Sequence, residues 1–242
     1  MMNDAFYNLD EEKRQKIINS GLMEFSNYGY QQSSTNRIVE NAGIGKGMLF
    51  YYFKNKKGLF KFLVDYSLDF IEEYYFKQSE PFKQTNYYID TNNHDIMSQK
   101  MALRIREKNQ NYEMTLKVSQ EVGLLEYNEI VEEVPKQGER LDKQYLPENI
   151  TEILNKFNIP LNDLRQLGDL TTYRLEKDIG TGLLVLDHSI YLGIEDYELE
   201  FEVKDYAKGE IAFNKILNDM NIERNIPNNK VVRFFNADRK RT

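Results

Sequence analysis

The stretch Asp196-Tyr197-Glu198-Leu199-Glu200-Phe201-Glu202-Val203 decides how the rest of this chain is read. Along a strand, alternate side chains point to opposite faces. Glu198, Glu200 and Glu202 therefore share one face, while Tyr197, Leu199, Phe201 and Val203 take the other. Same-face neighbours stand about 7 Å apart, so three carboxylates in a row repel one another unless cations stand opposite. A solvated acidic strand would satisfy the pattern, but the chain also offers matching cations on other strand-like runs. Arg104 and Arg106 alternate with Leu103 and Ile105, Lys117 ends Y-E-M-T-L-K, and Arg174 precedes Glu176 in T-T-Y-R-L-E. Basic faces on some strands and an acidic face on another suggest a sheet curled so that the two meet inside. Such a polar-lined barrel suits a polyanion and its metal ions.

The 242 residues suffice for one large domain or two small ones. A hydrophobic fraction of 40% supports a core, and 29% charged residues suit a soluble protein. The absence of cysteine excludes disulfides, thiolate metal sites and a cysteine nucleophile. The N-terminus has no apolar signal core and no run approaches a membrane span, so a cytoplasmic protein without a membrane partner is expected. His94 and His188 are the two histidines, far apart and without cysteine nearby, which argues against zinc. No serine sits in a nucleophile-elbow motif. Gly43, Gly45 and Gly47 fall between helices rather than after a strand, so they are not read as a nucleotide loop.

The net charge of −7 is unevenly spread. Residues 1–78 carry 10 Lys/Arg against 10 Asp/Glu, and the remainder 22 against 29. Within residues 33–61 of that part, Arg37, Lys46, Lys54, Lys56, Lys57 and Lys61 face Glu40 alone. A concentrated basic segment in an acidic protein points to an anion bound at that segment.

That segment lies among predicted helices. Ile17, Ile18, Leu22 and Phe25 recur at helical spacing after Asp10-Glu11-Glu12, and Gly29 ends the run. Ser33 or Ser34 can cap a second helix through Ile38, Val39 and Ala42. Gly43 and Gly45 mark a turn, a third helix spans Lys46 to Phe53, and a longer one starts near Lys56. Helices flanking a Gly-bearing turn form a helix-turn-helix. Residues 10–60 closely resemble the DNA-binding domain of TetR-type regulators, through Gly29-Tyr30, I-V-E-N-A-G-I-G-K-G (38–47) and L-F-Y-Y-F-K-N-K (49–56). The resemblance implies a recognition helix at Lys46–Phe53 in the major groove of double-stranded DNA. Ser34, Lys46, Gly47, Met48, Tyr51 and Tyr52 would face DNA, with Lys56 on a phosphate. Phe50 stands where tyrosine is commoner, which removes one hydroxyl contact. Leu49 and Phe53 belong to the core. Two half-sites need two heads, so a homodimer is the assembly this head calls for, although the usual dimerisation helices are not found.

Helical periodicity stops near residue 79, and Pro81 breaks the pattern. The expected domains are 1–78 and 79–242. Strands are predicted near 86–90, 102–108, 111–118, 121–129, 169–178, 182–189 and 197–203. Helical pieces are expected across 135–168, a helix at about 209–220, and the basic N-K-V-V-R-F-F at the end of the fold. This half resembles the CYTH family, also called triphosphate tunnel metalloenzymes. The carrying motifs are T-N-Y-Y-I-D-T (85–91), A-L-R-I-R-E-K (102–108), Y-E-M-T-L-K (112–117), V-G-L-L-E (122–126), L-T-T-Y-R-L-E (170–176) and residues 183–203. The family fold is an eight-stranded antiparallel tunnel that holds a triphosphate with basic side chains and divalent ions with acidic ones. On this sequence the resemblance implies that Arg104, Arg106, Lys117 and Arg174, with Lys230 and Arg233, grip phosphate oxygens of a polyphosphate or nucleoside triphosphate. Glu198 and Glu200 would bind Mg²⁺ or Mn²⁺, with Glu126, Glu176 and Glu202 in support. No catalytic residue is assigned with certainty.

The family opens with an E-x-E-x-K strand. Glu73-Tyr74-Tyr75-Phe76-Lys77 keeps the outer Glu and Lys, but Tyr75 replaces the second Glu and the stretch continues a helix, so the strand is read as absent. The expected architecture is α+β: a helix-turn-helix bundle followed by an incomplete antiparallel barrel with flanking helices. Three functions stay open. They are a DNA-binding regulator fused to a triphosphate-binding body of doubtful catalytic competence, a metal-dependent triphosphatase, and a recombined hybrid with neither activity intact.

Overall fold

The computed structural model describes residues 4–120, 124–219, 224 and 226–239. The chain divides into two compact units. One comprises residues 1–78 with 210–225, the other residues 79–209 with 226–242. The first unit thus takes in a stretch that the sequence pattern assigned to the second half.

The first unit is built on four helices: α1 (Glu11–Gln32), α2 (Thr35–Ala42), α3 (Lys46–Phe53) and α4 (Lys56–Tyr75). Asp10 caps α1 by accepting from the Lys13 N–H at 2.8 Å. Helical backbone breaks at Gly29, whose φ is +63°. The turn between α2 and α3 depends on Gly43, which closes α2 in the left-handed conformation at φ +64°. Phe6, Ile17, Ile18, Ile38, Leu49, Phe53, Leu59 and Leu63 form the core. Gly58 lets α4 start against the end of α3, because a Cβ there would stand 2.1 Å from the Phe53 carbonyl oxygen.

One buried carboxylate fixes α1 to α2. Glu24 accepts from the Ser34 N–H at 2.6 Å and from Arg37 Nε at 3.0 Å. The Arg37 hydrogen bond holds its pKa below the usual carboxylate range even though burial pushes the other way. Glu24→Ala leaves a helix-entry N–H without its acceptor and is expected to cost the head about 1.5–3 kcal/mol, read as a lower urea midpoint of the helical signal.

The second unit is a seven-stranded antiparallel sheet in the order β4-β3-β2-β1-β5-β6-β7. The strands are β1 (Phe82–Asp90), β2 (Met101–Lys108), β3 (Asn111–Ser119), β4 (Leu124–Val131), β5 (Arg165–Asp178), β6 (Leu183–Tyr191) and β7 (Ile194–Glu202). Several strands extend beyond the predicted limits. β1 begins at Phe82 and β5 at Arg165, while β7 ends before Val203 and residues 121–123 lie outside the described residues. Among the described residues the sheet is not closed, and β4 and β7 are its edges. Antiparallel pairing across seven strands leaves β4 and β7 running in the same direction, so a single strand antiparallel to both is what closure would require. Glu73–Tyr75 stays in α4, and no strand precedes Phe82 among the described residues.

The sheet's two faces differ in chemistry. Ile89, Leu103, Ile105, Met114 and Leu116 point to an apolar core completed by Ile150 and Leu154 of α6 (Glu148–Lys156) and by Leu141, Leu146, Leu161 and Leu164. Asp90, the acid of the I-D-T motif, is buried and structural. It accepts from the N–H groups of Thr91, Ile96 and Met97 and so holds the short α5 (Asp95–Ser98) against the end of β1. α7 (Tyr206–Asp219) follows the sheet, and its predicted last residue, 220, lies outside the described set. The final basic segment is a helix, α8 (Lys230–Asp238), whose Phe234 and Phe235 pack on Tyr88, Leu170 and Tyr191.

Candidate functional site

In the first unit the candidate nucleic-acid surface is α3. Its eight residues turn Leu49, Tyr52 and Phe53 inward. Lys46, Gly47, Met48 and Tyr51 face solvent, Tyr51 at 61% exposure. The expectation that Tyr52 faces DNA is corrected. It lies three residues after Leu49 and so on the same buried stripe, with its ring edge-on to Phe6 at 5.5 Å. Lys56 is engaged within the unit, donating to the carbonyls of Ser33 at 2.7 Å and Gln31 at 3.3 Å. Ser34 occupies the N-cap position of α2, but its side chain makes no capping hydrogen bond.

In the second unit the register gathers the charged residues on one face, since residues directly opposite in an antiparallel pair point the same way. Arg104 lies opposite Tyr88 and Thr115, and Arg106 opposite Asn86 and Glu113. Lys117 lies opposite Glu126, Arg174 opposite Asp187, and Asp187 opposite Glu198. The face thus has a basic wall on β2 and an acidic wall on β6 and β7.

The acidic wall is organised around Asp187, a fully buried residue that sequence reasoning passed over. Arg174 grips it with two hydrogen bonds of 2.7 Å, from Nε and from an Nη. Lys230 reaches it from α8 at 2.8 Å, and the same ammonium contacts Glu198 at 2.8 Å and Glu200. Arg233 joins Glu198 at 2.8 Å and Asp196 at 3.1 Å. Glu176 and Glu202 stand 3.6 Å from Arg174. Burial would depress the Lys230 pKa, yet Asp187, Glu198 and Glu200 raise it above the ordinary lysine value. Burial would likewise raise Glu198, but hydrogen bonds from Arg233 and Lys230 bring it below the carboxylate range. The signal for Asp187 was a lone acid inside the apolar run L-L-V-L-D-H-S. The targets of Lys230 and Arg233 had no signal in strand periodicity, because both residues are on a helix.

The basic wall is not balanced in this way. Lys117 pairs with Glu126 at 2.6 Å, and Arg106 donates to Asn86 at a long 3.3 Å. Arg104 Nε is buried and has no hydrogen-bond partner. Burial, together with the neighbouring Arg106, brings the Arg104 pKa down to about 10. The walls converge on Tyr88, a buried phenol whose pKa burial raises while Arg104, Lys230, Arg106 and Arg233 draw it back.

In this arrangement the carboxylates expected to hold or support Mg²⁺ or Mn²⁺ each face an internal cation. Among the described residues no three His, Cys, Asp or Glu side chains group to hold an ion. Glu198 and Glu200 instead share Lys230.

Residues 59–235 match the CYTH domain family. The chain belongs to the CYTH family. The match begins inside α4, so this CYTH chain is helical where the correspondence starts. Residues 17–63 match the N-terminal domain of bacterial regulatory proteins of the tetR family, so a TetR-type helix-turn-helix precedes the CYTH domain. YjbK of Bacillus subtilis (strain 168), named as a candidate triphosphatase, is 40% identical over 158 residues, 65% of this chain and 81% of its own. A candidate adenylate cyclase (bh2851) from Bacillus halodurans is 32% identical, with a TM-score of 0.58 over 70% of this chain and 91% of that one. HpAC1 from Hippeastrum, described as having a dominant triphosphatase activity, has a TM-score of 0.60 at 18% identity over 71% and 90% of the two chains, and so supports the fold. No helix of the described residues is long and apolar enough to cross a membrane.

The network makes stability depend on pH in a definite direction. A carboxylate depressed on folding contributes stability that is complete above its unfolded pKa and lost as pH falls through its folded one. Acid should therefore loosen the CYTH unit below pH 4.5, the ordinary value for Glu198. Glu198→Gln should flatten that acid limb of a stability–pH curve. Asp187→Ala, which strands Arg174 and Lys230 in a buried site, should cost about 3–5 kcal/mol in denaturant melts at neutral pH.

Proposed function

We propose that this CYTH protein is a DNA-binding regulator whose second unit binds a polyphosphate or nucleoside triphosphate without hydrolysing it efficiently. The observation that carries the ligand reading is Arg104 beside Arg106, with the Arg104 Nε buried and lacking a hydrogen-bond partner. A buried cation lacking an acceptor is costly, and an anion with several oxygens relieves that cost through charge-assisted hydrogen bonds. Two guanidiniums on one strand face, about 7 Å apart at the backbone, can both reach oxygens of one extended polyphosphate. The name of YjbK, a relative at 40% identity, points to the same substrate class.

The acidic wall argues against fast turnover. Its carboxylates neutralise Arg174, Lys230 and Arg233, so they are not free to act as a base toward water. Calorimetry with tripolyphosphate should give a binding isotherm that Arg104→Ala with Arg106→Ala abolishes, while phosphate release from the same mixture stays at background. Undiminished binding by the double variant, or brisk release, defeats this reading.

For the head, the exposed Lys46, Gly47, Met48 and Tyr51 on α3 support DNA contact through the major groove. The affinity of the full chain for duplex DNA should fall with salt at a slope of roughly −0.9 per phosphate neutralised. Lys46→Ala should reduce that slope by about one unit of contact. A salt-independent affinity would count against it.

A further inference from the structure

We infer that the β4 edge is the surface through which two copies of this chain associate. A sheet edge presents a row of backbone donors and acceptors, and folded proteins usually blunt it with lysine, proline, bulges or a covering element. Among the described residues β4 shows no lysine, proline, bulge or pairing strand of this kind. Its sequence, L-L-E-Y-N-E-I-V, contains no Lys or Pro, its register with β3 runs without a break from Leu124 to Val131, and no strand covers it among the described residues. Six of its eight residues are exposed. Leu124 and Ile130, at opposite ends, are 59% and 75% exposed.

The arrangement is self-complementary about Tyr127. A two-fold axis perpendicular to the sheet pairs residue i of one copy with residue 254 − i of the other, keeping each on its own face. Leu124 then meets the second copy's position 130, an isoleucine, and Glu126 meets position 128, an asparagine. Leu125 meets position 129, and Tyr127 meets its own counterpart. No carboxylate faces a carboxylate directly, the arrangement that would be destabilising. Glu126 brings little free charge, because Lys117 already holds it and keeps its pKa low. The pairing adds about six to eight backbone hydrogen bonds between copies. The other edge is unsuited to self-pairing: β7 carries Glu195, Asp196, Glu198, Glu200 and Glu202.

The test uses the full chain in sedimentation equilibrium and oxidative cross-linking. The wild type should be dimeric at about 50 µM, and Ile130→Lys, a change at an exposed position that places a gatekeeping charge on the edge, should weaken the dimer at least about tenfold. The chain has no cysteine, so Tyr127→Cys introduces a single thiol. At directly opposed positions the Cβ atoms stand about 4.5–5.5 Å apart, near disulfide reach. Tyr127→Cys should therefore form a covalent dimer, and Tyr74→Cys, on the exposed aromatic face of α4, should not. A monomeric wild type, a dimer indifferent to Ile130→Lys, or cross-linking through position 74 in preference to 127 would overturn the inference. None of these outcomes depends on DNA or phosphate binding.

Discussion

A carboxylate sealed from water must keep its cations, and Asp187 keeps two. The second unit depends on that constraint. Arg174 is fixed on β5 because Asp187 lies directly across on β6. α8 is held over the polar face because Lys230 must reach the same carboxylate while Phe234 and Phe235 bury against Tyr88 and Tyr191. Removing one partner from such a group costs far more than the pair contributes on balance. The network therefore specifies where α8 lies more than it adds to overall stability.

The same constraint shapes the chemistry. The carboxylates of the acidic half neutralise Arg174, Lys230 and Arg233. On the basic half the buried Nε of Arg104 has no acceptor. The face is thus divided between a satisfied wall and an unsatisfied one, and Tyr88 lies at their junction. The proposed polyanion would complete the second wall without disturbing the first.

Much of this was legible in the sequence, for identifiable reasons. Strand alternation put Glu198, Glu200 and Glu202 on one face, and Arg104 and Arg106 on another strand's face, because a period of two leaves no alternative once the strand is granted. The third helix was expected after the Gly43–Gly45 turn, and it runs from Lys46 to Phe53. Tyr52 was misplaced because an eight-residue helix gives too few turns to fix its inward stripe from composition, and every residue from Leu49 to Phe53 is apolar or aromatic. Asp187 was overlooked because a buried acid looks like an interruption of an apolar run until its partners are known. The engagement of residues 210–225 with the first unit is a tertiary preference that no local pattern encodes.

The central claim is that the acidic wall stays closed on its own cations while the basic wall takes the anion. A crystal structure of the full chain with tripolyphosphate tests it directly. The account predicts phosphate density on Arg104 and Arg106 with Lys230 still seated on Asp187. Phosphate bound to a Lys230 that has left Asp187, with Arg104 empty, would contradict it.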